Sequence, residues 1–478
     1  MQIAVIDDGI DGSLLPKSRI LHDLVVCKNG QVRERSPEEQ ILTNHGTTCA
    51  RIIAKYAPQA EFSSLRVFHS KKLRTSCDEL VSAFSWCLAQ RIPLVHVSAG
   101  SSLLNDYPKI RPVIARMLRQ GQIVVAACSN ATPYSMPACL GGVFGVAADP
   151  SLTGSSYIAK QSFGGAAFAA SSRHVLESPL GRAFVTQVTN SYAAPTVTAA
   201  LCNLLSPRAP FSMSMPRLYE EMTKDTRTLR FLRPDFIEDA VVVNLSGYPL
   251  LKHHFFFNCL REHTSMKSWA DSGPWEHDLV LLPPRAPFDA SHALGLFFER
   301  TTPFANLLYG GLLPPHFESS ARDRLIWSED ALCGAAESPN GNSSPPACPV
   351  VYILGAGPEA VDMTCRLRDR FVKDDYQCAC VSNHPYSYLY GLLYIPQTAA
   401  PAVGVADAAQ RYDPDVILCC LSSPEYRPPL SEDVYEVLIA DSPWDQSRSL
   451  SPNQCLLPVN FGESDIDELY QKICRHFS

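Results

Sequence analysis

The first 207 residues alternate short apolar runs with amphipathic stretches, and no other feature limits the possible folds as strongly. Five apolar runs have the length of strands: Ile3–Ile6, Phe62–Val67, Leu94–Ser98, Ile123–Cys128 and Val143–Ala147. Four helix-like stretches lie among them: His45–Tyr56, Cys77–Gln90, Tyr107–Gln120 and Ser191–Leu205. Apolar strands that alternate with helices are typical of a parallel sheet covered on both faces. We therefore predict an α/β domain with a doubly wound parallel sheet at 1–207.

The remainder of the chain divides by composition into three parts. The middle region, 208–333, contains two apolar runs of strand type, Ala240–Leu245 and Asp278–Leu282, and then several prolines that interrupt any regular pattern. Residues 334–349 are rich in Pro, Ser and Asn and indicate a linker. From 350 to 478 the strand–helix alternation returns. We expect a middle α/β region of unknown role and a C-terminal α/β domain. The predicted C-terminal elements are strands at Val350–Leu354, Gln377–Val381, Val416–Cys420 and Glu436–Ala440, with helices near Ala360–Val372 and Asp465–Cys474.

Composition excludes several classes of protein. The 41 basic and 48 acidic residues give a net charge of −7 without a basic run, which argues against a nucleic-acid partner. No apolar stretch is long enough to cross a bilayer, so we expect no membrane association. The first predicted strand follows Met1 almost directly, without the features of an export signal. Together with 17 scattered cysteines that form no CxxC pair, this predicts a cytoplasmic protein with reduced thiols and no bound metal.

Four polar positions in the first region lie where an open α/β sheet builds its sites, at strand ends and helix starts. Asp7 follows the first strand, His45 begins a helix, Asn130 follows a later strand and Ser191 opens the last helix. Each has a purely structural explanation when it is taken alone, as a strand-end cap, a surface residue, a turn former or an N-cap.

Together these residues stand in the order Asp, His, Asn, Ser, and the local motifs resemble those of the subtilisin-like proteases. Ala4-Val-Ile-Asp-Asp-Gly-Ile-Asp11 resembles the family's aspartate motif. His45-Gly-Thr-Thr-Cys-Ala50 is similar to His-Gly-Thr-His-Val-Ala, and Asn190-Ser-Tyr-Ala-Ala-Pro195 to Thr-Ser-Met-Ala-Ala-Pro. The resemblance covers about residues 1–205 and implies a subtilisin-like fold.

The resemblance also implies a role for each motif residue. Ser191 would attack the peptide carbonyl, His45 would accept its proton, and Asp7 would orient the imidazole. Asn130 would donate its amide to the oxyanion. A substrate-binding strand would lie at Ser98, Ala99 and Gly100. No cofactor is implied, and Asp8 and Asp11 are interpreted as a polar strand end rather than a calcium site.

Departures from the family motifs leave two functions open. Thr189-Asn190 replaces Gly-Thr before the serine, Ser129 replaces a Gly, and Thr48 and Arg51 replace a His and a Gly. The first hypothesis is an intracellular serine endopeptidase with a peptide or protein substrate, similar to the peptidases that remove leader peptides from ribosomally made precursors. The absence of room for a propeptide and the additional regions favour such narrow specificity. The alternative is a catalytically decayed scaffold or recognition protein in peptide maturation. The sequence does not indicate an oligomeric state.

Two further features lie outside the protease motifs. Residues 350–365 form a strand, a Gly355-Ala-Gly357 turn and a helix start, a context that looks like a P-loop nucleotide-binding or Rossmann-type domain. The Gly-Lys-Ser/Thr signature is missing and Val361 or Asp362 takes the lysine position, so we predict a degenerate module, with nucleotide binding as the alternative. His253-His254 has no carboxylate or cysteine at ligand spacing in the sequence and is predicted to be structural.

Overall fold

The structure is a computed structural model. It describes residues 1–477 except 16–18, 42, 161–167, 179–180, 225–228, 274, 285–287, 315–316, 318–323, 330–345, 397–398, 424–433 and 441–450. Most of the predicted linker at 334–349 therefore lies outside the described residues. Within them, no helix is both long and apolar enough to cross a membrane.

The first region is built on a nine-stranded sheet in the order β3-β2-β4-β1-β5-β6-β7-β9-β8. Only the edge strands β3 and β8 pair antiparallel with their neighbours. The strands are β1 (Gln2–Asp7), β2 (Arg19–Val26), β3 (Val32–Glu34), β4 (Glu61–Arg66), β5 (Leu94–Val97), β6 (Ile123–Ala127), β7 (Phe144–Ala148), β8 (Tyr157–Ala159) and β9 (Phe168–Ala170). This sheet confirms the predicted doubly wound α/β fold, because its central strands are buried on both faces and pair in parallel.

Helices cover both faces of this sheet at the predicted places. They are α1 (His45–Tyr56), α2 (Cys77–Ala89), α3 (Tyr107–Arg119) and α4 (Asn190–Leu205). Local chemistry explains where they begin. The Ser76 side chain and Glu79 form a capping box at the start of α2, for example, and Thr189 caps α4. A short hairpin of β10 (Val175–Glu177) and β11 (Ala183–Val185) precedes α4.

Helix α5 (Met215–Thr223) follows the predicted domain boundary at 207 but packs on the first region. The ring centroids of Tyr219 on α5 and Phe168 on β9 are 5.5 Å apart. The exact boundary stays a prediction, and the contact indicates that residues beyond 207 contribute to the core of the first region.

The middle region contains a five-stranded parallel sheet in the order β13-β12-β14-β15-β16. Its strands are β12 (Asp239–Asn244), β13 (Asn258–His263), β14 (Asp278–Leu282), β15 (Leu307–Tyr309) and β16 (Ile326–Ser328), with helices α6 (Met266–Ala270) and α7 (Ala290–Arg300). The sequence predicts only β12 and β14. The others were missed because β13 is largely exposed and polar, and because the last two strands have only three residues each.

The C-terminal region contains a six-stranded parallel sheet in the order β19-β18-β20-β17-β21-β22. Its strands are β17 (Val350–Leu354), β18 (Cys378–Ser382), β19 (Leu393–Tyr394), β20 (Val416–Leu421), β21 (Val434–Ala440) and β22 (Gln454–Pro458). Its helices are α8 (Pro358–Lys373), α9 (Pro401–Tyr412) and α10 (Glu463–Phe477). The predicted strands are confirmed, and the cysteines of β18 and β20 are buried in the sheet. A P-loop-like assignment stays a prediction.

A buried arginine joins the middle region to the first region. Arg111 on α3 is 2% exposed and donates to the carbonyl oxygens of Ile237, at 2.6 Å, and Phe256, at 2.8 Å. It also forms an ion pair with the buried Glu238 carboxylate. A buried guanidinium is strongly destabilising when one of its hydrogen-bond or ion-pair partners is missing. The two regions therefore depend on each other for their stability.

Candidate active site

Asp7 and His45 meet where β1 ends and α1 begins. The imidazole Nδ1 of His45 lies 2.8 and 2.9 Å from the two carboxylate oxygens of Asp7. The Asp7 side chain is fully buried, whereas that of His45 is 16% exposed. The carboxylate therefore fixes the orientation of the imidazole and leaves its opposite edge toward the surface.

The neighbouring Asp8 locks α1 against β1. Its carboxylate accepts a hydrogen bond from the backbone N–H of Gly46, at 2.7 Å, and another from the Thr43 hydroxyl. A Cβ at position 46 would lie 2.7 Å from the carbonyl oxygen of Gly9, so the close approach of helix and strand requires glycine there. Burial, and next the charge of Asp7, raise the pKa of Asp8. Asp8 is thus a structural cap, as the polar strand-end interpretation predicts.

The pKa of His45 is set by two opposing effects. Burial disfavours the imidazolium and lowers the pKa of His45. The charge of Asp7 and its hydrogen bond raise that pKa by more, so it lies above its ordinary value. The site therefore stabilises a protonated imidazole, as a base that accepts a proton from a hydroxyl requires.

Ser191 lies at the first turn of α4, beside this pair. The Sγ of Cys49, one turn after His45 on α1, is 3.4 Å from the carbonyl oxygen of Ser191. The Tyr192 ring packs against the His45 imidazole with a centroid distance of 5.2 Å. Among the described residues, neither the hydroxyl nor the backbone N–H of Ser191 makes a hydrogen bond. The contacts toward His45 and its helix are therefore made by Tyr192 and by the Ser191 carbonyl oxygen, and the Ser191 hydroxyl and N–H stay unpaired among the described residues.

Asn130 reaches the same helix start from the loop after β6. Its side-chain oxygen accepts a hydrogen bond from the backbone N–H of Asn190, at 3.1 Å. The fold therefore brings Asp7 and His45 into direct contact, and it joins Asn130 and His45 to the two residues that flank Ser191, Asn190 and Tyr192. The free N–H of Ser191 and the Asn130 amide lie at the positive end of the α4 dipole, where a negative charge is stabilised.

Asn190 contributes more than the sequence suggests. Its amide nitrogen donates to the carbonyl oxygens of Cys128, at 3.1 Å, and Ser129, at 2.8 Å. Its side-chain oxygen accepts from the backbone N–H of Ala148, at 2.7 Å. These bonds attach the start of α4 to the ends of β6 and β7. In the sequence, Asn190 stands out only because it departs from the family motif. That departure is the one signal that could have indicated its bridging role.

The predicted substrate strand begins at the partly buried Ser98 and ends at the exposed Gly100. The Ser98 hydroxyl bonds to His96 Nε2, at 3.1 Å, and lies 3.7 Å from Cys49 Sγ, so it belongs to the interior beneath the site. Ala99 is buried and Gly100 is exposed. The next residue, Ser101, pairs with the backbone of Met136. Substrate binding by Ser98, Ala99 and Gly100 stays a prediction, in which their backbone rather than the Ser98 side chain would act.

Arg51, another departure from the family motif, connects α1 to the hairpin that precedes α4. Arg51 donates to the carbonyl oxygen of Glu177, and Lys55 donates to that of Val175, at 2.8 Å. His174 is buried and its Nε2 lies 3.0 Å from the carbonyl oxygen of Tyr192. Arg51 therefore takes part in holding the hairpin beside Ser191.

Two clusters within the described residues bring three metal-ligand atoms within 4.8 Å of one another. One is Asp7, His45 and Cys49, which is the site above. The other is His253, His254 and Asp362. The sequence offers no carboxylate at ligand spacing from the two histidines, whereas the tertiary structure supplies one from α8, and the structural interpretation of the histidines stays a prediction.

The glycine turn of the C-terminal region holds an acid where a phosphate would bind. A Cβ on Gly357, just before α8, would lie 2.0 Å from a carboxylate oxygen of Glu359. The Glu359 side chain thus folds back over the N-terminus of α8, the place an anion would take. A degenerate nucleotide-binding module stays a prediction for this region.

Comparisons with known proteins give a family match and several similar solved structures. Residues 1–230 match the model of the Subtilase family, Peptidase_S8. No curated protein matches the chain. One similar solved structure is the epidermin leader peptide processing serine protease from Staphylococcus aureus, with 18% identity over 42% of this chain and a TM-score of 0.31. The match spans 64% of the epidermin protease's own length.

Two more similar structures are proteases. A lanthipeptide protease shares 14% identity over 46% of this chain and 78% of its own, with a TM-score of 0.34. The prenylagaramide maturation protease shares 21% identity over 44% of this chain and 78% of its own, also with a TM-score of 0.34.

Proposed function

We propose that the protein is a serine endopeptidase that cleaves a peptide bond in a precursor peptide, a proposal supported by the match of residues 1–230 to the Subtilase family model. The observation that carries the proposal is the doubly hydrogen-bonded Asp7–His45 pair, at 2.8 and 2.9 Å, beside the helix start that presents Ser191.

The chemistry follows from the roles of these side chains. His45 Nε2 accepts the hydroxyl proton of Ser191 as its Oγ bonds to the carbonyl carbon, and the resulting imidazolium is stabilised by Asp7. The carbonyl oxygen becomes an oxyanion that the Asn130 amide and the Ser191 N–H can stabilise. The imidazolium then gives its proton to the departing amine, and water later hydrolyses the acyl-enzyme by the same route. A Ser–His hydrogen bond often tightens only when substrate is bound.

Contacts from the C-terminal region support a selective substrate site. Tyr412 on α9 packs edge-on against Tyr134, with a centroid distance of 4.8 Å, in the loop between Asn130 and the Met136 segment that pairs with Ser101. Gln377 accepts a hydrogen bond from the backbone N–H of Asn105, at 3.3 Å. The C-terminal region thus supports the loops that flank the proposed substrate strand, and we infer that it restricts which peptides enter.

The exposed face of the hairpin beside Ser191 suits an apolar peptide segment. Val175 and Val185 are more than half exposed, and Phe184 is 39% exposed. An intracellular setting is part of the proposal, which is supported by the sixteen described cysteines, since none of them forms a disulfide within the described part of the chain.

One observation favours a second candidate, a decayed scaffold that binds the precursor without cleaving it. The Tyr192 ring lies against the His45 imidazole, and the Ser191 hydroxyl makes no hydrogen bond among the described residues. Both candidates share the fold, so only a chemical test separates them.

That test is covalent labelling by a fluorophosphonate. We expect the wild-type protein and the Ser155→Ala control, which alters an exposed serine, to be labelled equally, and Ser191→Ala to be unlabelled. A folded wild-type protein that takes up no label would favour the scaffold. Digestion of a diverse peptide library then tests selectivity by mass spectrometry. Cleavage within a narrow set of sequences is expected, and broad cleavage would contradict a processing enzyme.

A further inference from the structure

A turn of the middle region meets a helix of the C-terminal region far from the proposed active-site residues in sequence. His253 and His254 form part of a short 3₁₀ turn after β12. Asp362 lies in the second turn of α8. The same contact includes a hydrogen bond from the backbone N–H of Phe256 to the carbonyl oxygen of Leu389, at 3.1 Å.

Both histidines direct the same ring atom at one carboxylate oxygen. The Nε2 atoms of His254 and His253 lie 2.8 and 3.3 Å from Oδ1 of Asp362. Their rings are adjacent, with centroids 4.0 Å apart. The His254 side chain is 8% exposed and that of Asp362 is 13% exposed, whereas that of His253 is 61% exposed. The cluster is therefore sheltered on one side and open to solvent on the other.

The three ligand atoms lie within 4.8 Å of one another, and the 3.3 Å between His253 Nε2 and Asp362 Oδ1 matches two ligands of one metal ion, while the 2.8 Å hydrogen-bond distance of His254 would lengthen on binding. Zinc binds histidine nitrogen and carboxylate oxygen at about 2.0–2.2 Å, so two ligand atoms at a tetrahedral centre are about 3.3 Å apart. Imidazole is a preferred ligand of zinc, nickel and copper, and two imidazoles with one carboxylate leave a position for water.

The surrounding charges do not oppose a cation. Arg366 Nε binds the other oxygen of Asp362, at 2.9 Å, and leaves Oδ1 to the histidines. Its guanidinium is in turn balanced by Glu463, at 3.0 Å. Lys252, next to His253, forms an ion pair with Glu262. Each nearby positive charge therefore has its own carboxylate partner, and Arg366 orients Asp362 in the way that outer ligands commonly do.

We propose that His253 Nε2, His254 Nε2 and Asp362 Oδ1 bind a single divalent transition-metal ion of the zinc type, which joins the 252–254 turn to α8. The site is separate from the proposed protease chemistry and adds a link between the middle and C-terminal regions. Both imidazoles would bind the ion as neutral ligands through Nε2.

The test measures Zn²⁺ binding to the full chain by titration calorimetry. His253→Ala is the main variant, because this exposed side chain can be removed with little effect on folding. The matched control is His292→Ala, which removes another exposed histidine. We expect one site whose dissociation constant rises at least about tenfold in His253→Ala and is unchanged in the control. Asp362→Asn is expected to weaken binding in the same way.

Cobalt distinguishes this site from binding to cysteines or to the Asp7, His45 and Cys49 cluster. Co²⁺ bound by nitrogen and oxygen shows visible d–d bands without thiolate charge transfer, and we expect those bands in the wild-type protein and not in His253→Ala. Zinc binding that is equal in His253→Ala and wild type, no binding at all, or a cobalt spectrum dominated by thiolate charge transfer would each overturn the proposal.

Discussion

The side-chain oxygen of Asn130 accepts a hydrogen bond from the backbone N–H of Asn190, 3.1 Å away, at the residue that precedes Ser191. One half of the amide is therefore occupied in holding the loop after β6 to the start of α4. Within the described residues, the nitrogen half makes no hydrogen bond. The side-chain oxygen of Asn130 thus has a structural role, and its side-chain nitrogen is the proposed donor to an oxyanion.

The two halves of the Asn130 amide can be separated by substitution. Asn130→Asp keeps the acceptor but removes the NH₂ donor, and Asn130→Ala removes both. We expect both variants to lower kcat by about 10²–10³-fold with a small change in KM, because the oxyanion donor acts in the transition state. Only Asn130→Ala is expected to lower Tm. Steady-state kinetics on a cleaved peptide and thermal unfolding check these outcomes, and an unchanged kcat in Asn130→Asp would exclude the donor role.

The pH dependence of the reaction follows from His45. Because the charge of Asp7 raises the pKa of His45, the neutral imidazole that acts as base accumulates only above the ordinary value of about 6.5. We expect kcat/KM to rise with pH through that raised pKa. In Asp7→Asn the charge is lost while burial remains, so the rising limb moves to lower pH and the rate falls by about 10⁴-fold. A pH–rate profile that keeps its midpoint in Asp7→Asn would show that another group titrates.

Asn190 is predicted to position the nucleophile. Asn190→Ala removes the bonds to Cys128 and Ser129 and leaves the Ala148 N–H without its partner. We expect a loss of about 1–3 kcal/mol in the free energy of unfolding and a lower kcat at nearly constant KM. Denaturant titration and kinetics measure both. A variant that is destabilised but has wild-type kcat would limit Asn190 to a structural role.

The Arg111 network is expected to control the stability of the whole assembly. Arg111→Ala leaves the buried Glu238 without its ion pair and the Ile237 and Phe256 carbonyls without their donor. The expected cost is about 3–5 kcal/mol in the free energy of unfolding. Arg116→Ala, on the exposed side of the same helix, is the control and should change stability little. If both substitutions lowered the free energy of unfolding equally, the loss would come from a change in the helix itself and not from the buried network.

Nucleotides are expected to leave the protein unchanged. The Glu359 carboxylate lies over the N-terminus of α8 and would repel a phosphate. Millimolar ATP or GTP should therefore not shift Tm in the wild type, measured by differential scanning fluorimetry. A reproducible upward shift would contradict the degenerate interpretation of the C-terminal region.

Much of the fold is predictable because local physics dominates it. Each central strand of the first region is an apolar run buried on both faces, and the helices have clear amphipathic patterns and caps. Short or polar strands such as β13 and β15 are not predictable in the same way, since they are strands only because a neighbouring strand supplies their hydrogen bonds. The same limit applies to α5, whose packing on Phe168 depends on a distant surface.

The sequence by itself selected the candidate catalytic residues, Asp7, His45, Asn130 and Ser191, because each stands in a short motif at a strand end or helix start, and their catalytic roles stay predictions. Only the tertiary structure decided how those motifs are held, since Asn190 bridges the ends of two strands. It also decided that Asp362 contacts His253 and His254, although His254 and Asp362 are 108 residues apart in the chain. The physical reason is the range of the interactions. Hydrogen-bonded caps and side-chain periodicity act over a few residues and leave a local pattern, whereas contacts between regions depend on how whole sheets pack and leave no such pattern in the sequence.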